Sequence, residues 1–272
     1  MTWLIVVSVL LAIGIFIMFN RHALVSVGRW ILHRRYNVTL SGTENLDPKR
    51  TYLIFPNHPA LIDPFVLTTE LYKSKVIIRP LIDESFFSNR LFKHIFMMFN
   101  AVRVPDFRRI NFRPLLKVRP SLKDSARRAK ELGSTVLSTL QAGGSVLLYP
   151  SGHITSTGKE EMSNRQLAHN IISNLPKNVS VIGVRMRGLY GSMWSRVNGR
   201  PAPRFTLTFV KAVLLWLPMF FWRRRKVTLH FENITEKLKS WAPEGRKAFN
   251  DLLEKWYDAD LLAMGATAEP IT

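Results

Sequence analysis

Hydrophobic and polar positions follow two periods along most of this chain. Short, mostly apolar runs recur at Thr51–Phe55, Val76–Ile78, Val102–Val104, Ser145–Tyr149 and Val179–Val184. Runs this short, rich in β-branched side chains, predict strands with both faces buried. Val38–Leu40 reads as an edge strand and Val227–Phe231 as a terminal, alternating one. Between them lie stretches of helical period. One runs from Pro64 to about Tyr72. The clearest runs from Ser121 to Gln141, with a capping-box-like start at Ser121 and Asp124, a face of Leu122, Ala126, Ala129, Val136 and Leu140, and a stop at Gly143-Gly144. Glu244 to about Leu262 is a final amphipathic helix. Phe86 to Phe99 is apolar almost all round, which predicts a helix either deep in the core or facing lipid. Strands alternating with helices predict an α/β fold, a mostly parallel sheet layered with helices.

Two further apolar stretches change that picture. Trp3 to Phe19 carries no charge over 17 residues, the short end of what spans a bilayer. No basic residue precedes it, whereas Arg21, Arg29, Arg34 and Arg35 follow. A retained N-terminal membrane-anchor helix is therefore expected within residues 1–36, with residues 37–264 as the globular domain on the cytoplasmic side of the inner membrane. Leu24, Val25, Val27, Ile31 and Leu32 continue the stripe, as in a helix lying along the interface. Val213 to Trp222 is the second stretch. It contains Pro218 and runs straight into Arg223-Arg224-Arg225-Lys226, a pattern expected to insert shallowly into anionic lipid. Residues 265–272 read as a disordered tail.

Composition agrees with a membrane surface. The 272 residues suffice for one large domain, 47% are hydrophobic and the net charge is +20. Lipid is the expected partner rather than nucleic acid, since no nucleic-acid-binding motif accompanies the charge. With no cysteine, thiol catalysis, thiolate metal sites and disulfides are excluded.

The candidate chemistry lies in Asn57-His58-Pro59-Ala60-Leu61-Ile62-Asp63. Residues five apart on one helix point to different faces. Pro59, however, pushes His58 out of the helical region, and Asp63-Pro64 reads as a helix N-cap followed by proline at the first helical position. His58 then occupies a strand-to-helix loop, with Asp63 at the helix mouth. A loop that curls back places the carboxylate on one imidazole nitrogen and leaves the other to take a proton from a hydroxyl. No metal cluster and no phosphate-cradling glycine loop is visible, so neither a metal nor a cofactor is expected.

That block resembles the His-x4-Asp block of the PlsC-like glycerolipid acyltransferases. Ala101-Val102-Arg103-Val104, Tyr149-Pro150-Ser151-Gly152-His153-Ile154-Thr155 and Val181-Ile182-Gly183-Val184 fall, in order and separation, where that family carries its other three blocks. Gly152 to Gly158 and Arg185-Met186-Arg187-Gly188 are closer still to the acyltransferase half of the 2-acylglycerophosphoethanolamine acyltransferase/acyl-carrier-protein synthetases. The resemblance implies a glycerolipid acyltransferase-like fold and transfer of a fatty acyl group from an acyl-ACP or acyl-CoA thioester, as co-substrate, to the hydroxyl of a lysophospholipid. His58 would be the general base and Asp63 its orienting partner. Arg103 would grip the acceptor phosphate, Ser151, Gly152 and Arg185 would line the substrate site, and backbone N–H groups near Gly152 or in the His58 loop would receive the oxyanion. Ser151 stands where the family carries Glu, and His153-Ile154 where it carries Thr-Arg. The acceptor is therefore left open between a lysophospholipid and glycerol 3-phosphate or another alcohol. A catalytically silent, membrane-binding scaffold of the same fold is the third alternative.

Overall fold

The computed structural model describes residues 20–84, 87, 90–104, 122–163, 165–197, 200, 203–215 and 223–263, with isolated positions 7, 8, 16 and 19. Ser121, Pro218, Arg108-Arg109, the tail 265–272 and most of Trp3–Phe19 lie outside the described residues. Among those described, no helix is long and apolar enough to cross a membrane.

Seven strands form one sheet: β1 Tyr36–Ser41, β2 Thr51–Pro56, β3 Ile78–Asp83, β4 Val102–Val104, β5 Ser145–Leu147, β6 Val179–Arg187 and β7 Arg225–Asn233. Their order is β1-β7-β6-β2-β5-β3-β4. Every pairing is parallel except β6 with β7. The helices are α1 Arg21–Arg35, α2 Asp63–Lys73, α3 Arg90–Met98, α4 Leu122–Gln141, α5 Leu167–Ser173, α6 Phe205–Leu214, α7 Thr235–Trp241 and α8 Arg246–Ala263.

β2 lies at the centre of the sheet, and its alternation feeds two cores. Leu53 and Phe55 pack with α4, α5, α7 and α8. Tyr52 and Ile54 pack with α2, with Leu32 of α1 and with Phe205 and Ala212 of α6. Layers on both faces are what an unbroken apolar strand requires. Gly183 in β6 admits α8, because a Cβ there would come within 2.3 Å of the Trp256 ring.

Several boundaries differ from the sequence expectation. The strand expected at Val76–Ile78 starts at Ile78 and runs through Pro80 to Asp83. Within the helix expected over Phe86–Phe99, α3 covers Arg90–Met98, Phe86 lies outside the described residues, and the apolar side chains divide, with Phe96 buried and Met97 exposed. Gly245 separates a 3₁₀ turn at Ala242–Glu244 from α8. α1, the second half of the expected anchor, docks on α2: Arg29 and His33 both bond Glu70, at 3.0 and 2.6 Å, and Glu70 is buried.

Candidate active site

The chain leaves β2 under tight control. The Asn57 side chain donates to Met186 O at 3.0 Å and accepts from Met186 N–H at 2.7 Å. Its amide thus continues the β2–β6 ladder one step beyond Pro56↔Val184. The backbone then turns through His58 and Pro59, and α2 begins. Its N-cap is Ile62, so Asp63 is the first helical residue rather than the cap. The Asp63 side chain points back into the loop. Its Oδ2 accepts from Ala60 N–H at 3.2 Å and lies 2.9 Å from His58 Nδ1. Asp63 is fully buried, and the His58 side chain keeps 16% of its surface. The carboxylate therefore holds Nδ1, and Nε2 is left to face a substrate.

Three buried polar groups gather here: the Asp63 carboxylate, the Tyr149 hydroxyl that approaches it, and the Glu160 carboxyl, which the Ser151 hydroxyl approaches. Buried ionisable groups with shifted proton affinities cluster at functional sites. The Tyr149 ring stacks on His58 at 4.1 Å. Burial and the nearby Asp63 charge hold its phenol well above the usual range. Glu160 reaches the main chain of His58, where Oε2 accepts the backbone N–H at 3.1 Å. Burial pushes Glu160 up to about 7, against the opposing pull of the Ser151 hydroxyl, the His58 N–H and the imidazole. Burial lowers the imidazole's own proton affinity, but the Asp63 charge, its hydrogen bond and the Glu160 charge outweigh it, so the pKa ends above the ordinary value.

The Acyltransferase family model matches residues 37–187, more than half of the chain and the whole of this site except what α8 brings to it. The chain belongs to the acyltransferase family. No curated protein sequence matches it. Among solved structures it is similar to the 1-acyl-sn-glycerophosphate (LPA) acyltransferase, PlsC, from Thermotoga maritima. Identity is 15%, the alignment covers 89% of this chain and 86% of that one, and the TM-score is 0.49.

The remaining expected site residues of the acyltransferase are scattered. Arg103 lies exposed on β4, three strands and roughly 14 Å of sheet from β2. Its guanidinium sits 4.7 Å from the Phe87 ring centre. Arg185 pairs with Glu232 at 3.3 Å beneath the Trp256 ring, and Arg187 is held by Asp260 at 2.6 Å. Ser151 is buried in the site loop, with its hydroxyl donating to His153 O at 3.1 Å. Gly152 turns that loop at φ 64°, and its N–H donates to Tyr149 O at 3.1 Å. The N–H groups of His58, Ala60 and Leu61 also have protein acceptors, so none of these four is free for an oxyanion. Sequence reasoning missed Glu160 altogether. It stands beside Glu161 in a polar stretch, and only burial separates the two.

Proposed function

We propose that the protein transfers a fatty acyl group from an acyl-CoA or acyl-ACP thioester to the hydroxyl of a lysophospholipid, at the cytoplasmic face of the inner membrane. The observation that carries this reading is the His58–Asp63 pair, with Nδ1 held and Nε2 open. His58 Nε2 removes the hydroxyl proton as the oxygen attacks the thioester carbonyl, and Asp63 stabilises the imidazolium. The tetrahedral intermediate collapses with cleavage of the C–S bond, and the thiol leaves with the proton returned by His58. General-base catalysis of this kind is worth roughly 10²–10⁴ in rate.

Membrane attachment is supported by the surface beside the site. α6 exposes Leu207, Phe209, Val210, Val213 and Leu214, a patch that water alone does not favour. Phe65, two residues after Asp63, stacks on Phe205 at 6.1 Å, and Phe205 on Phe209 at 6.2 Å. An aromatic path thus runs from the first turn of α2 to the exposed helix. Arg204, Lys211, Arg223 and Arg224 lie exposed around it, which suits anionic head groups. With ten residues α6 lies on the bilayer rather than across it. The N-terminal apolar run supplies the anchor.

The test is thiol release from acyl-CoA and acyl-ACP by the purified protein over a panel of acceptors: lysophospholipids with different head groups, glycerol 3-phosphate and simple long-chain alcohols. Release stimulated by lysophospholipids and abolished in His58→Ala supports the proposal. A rate equal in wild type and His58→Ala, or stimulated only by glycerol 3-phosphate, overturns it.

A further inference from the structure

Glu160 belongs to no expected site, yet it is one of the most confined acids in the molecule. It is 3% exposed, and one oxygen is spent on the His58 N–H. The segment that carries it is fastened at several points. Thr155 N–H donates to His58 O at 3.0 Å, so the same residue is gripped at both its N–H and its carbonyl. Helix α8 holds the segment through Glu254, which accepts the Met162 N–H, and is itself tied to β2, where the Tyr257 hydroxyl donates to Phe55 O at 2.9 Å. Asp258 is buried, 4.0 Å from the Arg187 guanidinium, and accepts from the Glu160 backbone. None of α8 lies within residues 37–187.

We infer that Glu160 is a second carboxylate of this site, a positioning residue that fixes the His58 backbone through its N–H and supports the imidazolium charge formed during transfer. The inference rests on His58 being the base proposed above. Asp63 addresses the ring, whereas Glu160 addresses the main chain of the same residue. The groups that face Glu160 are the His58 imidazole and Asp63 from the β2–α2 loop, Ser151 and Tyr149 from the loop after β5, and Tyr257 and Asp258 from α8. Tyr149 and Tyr257 are both held neutral well above the usual range by burial. Burial raises Glu160 to about 7 and Asp258 to about 6, and the Asp63 and Glu160 charges raise the His58 imidazole.

The decisive variant is Glu160→Gln, which keeps an acceptor for the His58 N–H and removes the charge. Its KM for the lysophospholipid should stay within about twofold and kcat should fall by about tenfold, the size expected when a charge-assisted hydrogen bond becomes a neutral one. The acid limb of kcat/KM should move to lower pH, because a charge that raised the His58 pKa is gone. Glu160→Met, which has no acceptor, should lose about a hundredfold in kcat. A purely structural role would lower the yield of folded protein in both variants and leave the pH profile in place.

A readout that needs no turnover keeps this separate from the acyl-transfer proposal. The His58 ring titration, followed by NMR on histidine-labelled protein, should shift to lower pH in Glu160→Gln. An unchanged midpoint in the folded variant overturns the inference. Should Glu160→Gln not fold, the amide of residue 58 decides, followed in alanine-labelled His58→Ala protein where no ring titrates. A midpoint at or above 7, the Glu160 value, supports the assignment, and a flat response overturns it.

Discussion

The two sides of His58 are built in opposite ways. On one side Asp63 comes from five residues along the chain, at the start of α2, and its Oδ2 serves the ring and the Ala60 N–H of the same loop. On the other side Glu160 comes from 102 residues away and holds the backbone. The first side needs little beyond a strand, two prolines and a helix start. The second needs the sheet, the loop after β5 and α8 all in place. Ring orientation is therefore a local property of this chain, and placement of the residue that bears the ring is a tertiary one. The electrostatics follow the same division. Glu160 is buried and its acid is pushed up to about 7, a strain that persists only where the surrounding structure enforces it.

The largest effect should come from breaking the local side. Asp63→Asn presents the wrong group to Nδ1 and should lower kcat by roughly 10³–10⁴, with KM little changed, in steady-state assays. The tertiary side should show next, in stability as well as in rate. Folding raises the Glu160 pKa from 4.5 to about 7, so the native state binds this proton more tightly than the unfolded chain. The Glu160 contribution to wild-type stability should accordingly fall by about 3 kcal/mol as pH rises from 4.5 to 7, and then level off. Glu160→Gln should lack that component, so its denaturant-melt advantage over wild type should be larger at pH 8 than at pH 5. An equal difference at both pH values would mean that Glu160 is ionised in the fold as readily as in water.

Smaller changes sharpen the contrast at the ring itself. Tyr149→Leu removes the stacked ring and should cost about fivefold in kcat, whereas Tyr149→Phe keeps the stack and loses only the hydroxyl near Asp63, with an effect within about twofold. Ser151→Ala should be the mildest. Its hydroxyl bonds a carbonyl of its own loop, so about 1 kcal/mol of stability should be lost in thermal melts with KM for the acceptor unchanged.

Much of this was legible before any coordinates. Thr51–Phe55 and Val179–Val184 announced the paired central strands, because a strand covered on both faces has nowhere to put a polar side chain. The mostly parallel α/β architecture, β1 at the sheet edge and the meeting of His58 with Asp63 followed from the same kind of evidence. Other features left no such trace. β3 carries Arg79, Pro80 and Asp83, which disguise its apolar pattern. α5 is seven residues long, too short to show a helical period. The ion pairs of Arg185 with Glu232 and of Arg187 with Asp260 form only when β7 and α8 pack against β6. Arg103 kept its expected strand, but the strand order carried it away from β2.

By itself the amino-acid order determined which stretches become the central strands and the long helices and how His58 and Asp63 find each other, since both depend on neighbours a few residues away. Which of two adjacent glutamates is buried against His58, and which arginines are consumed in ion pairs, was decided only when segments a hundred residues apart packed together. Burial and charge pairing depend on distances through space, and a linear pattern of residue types does not contain them.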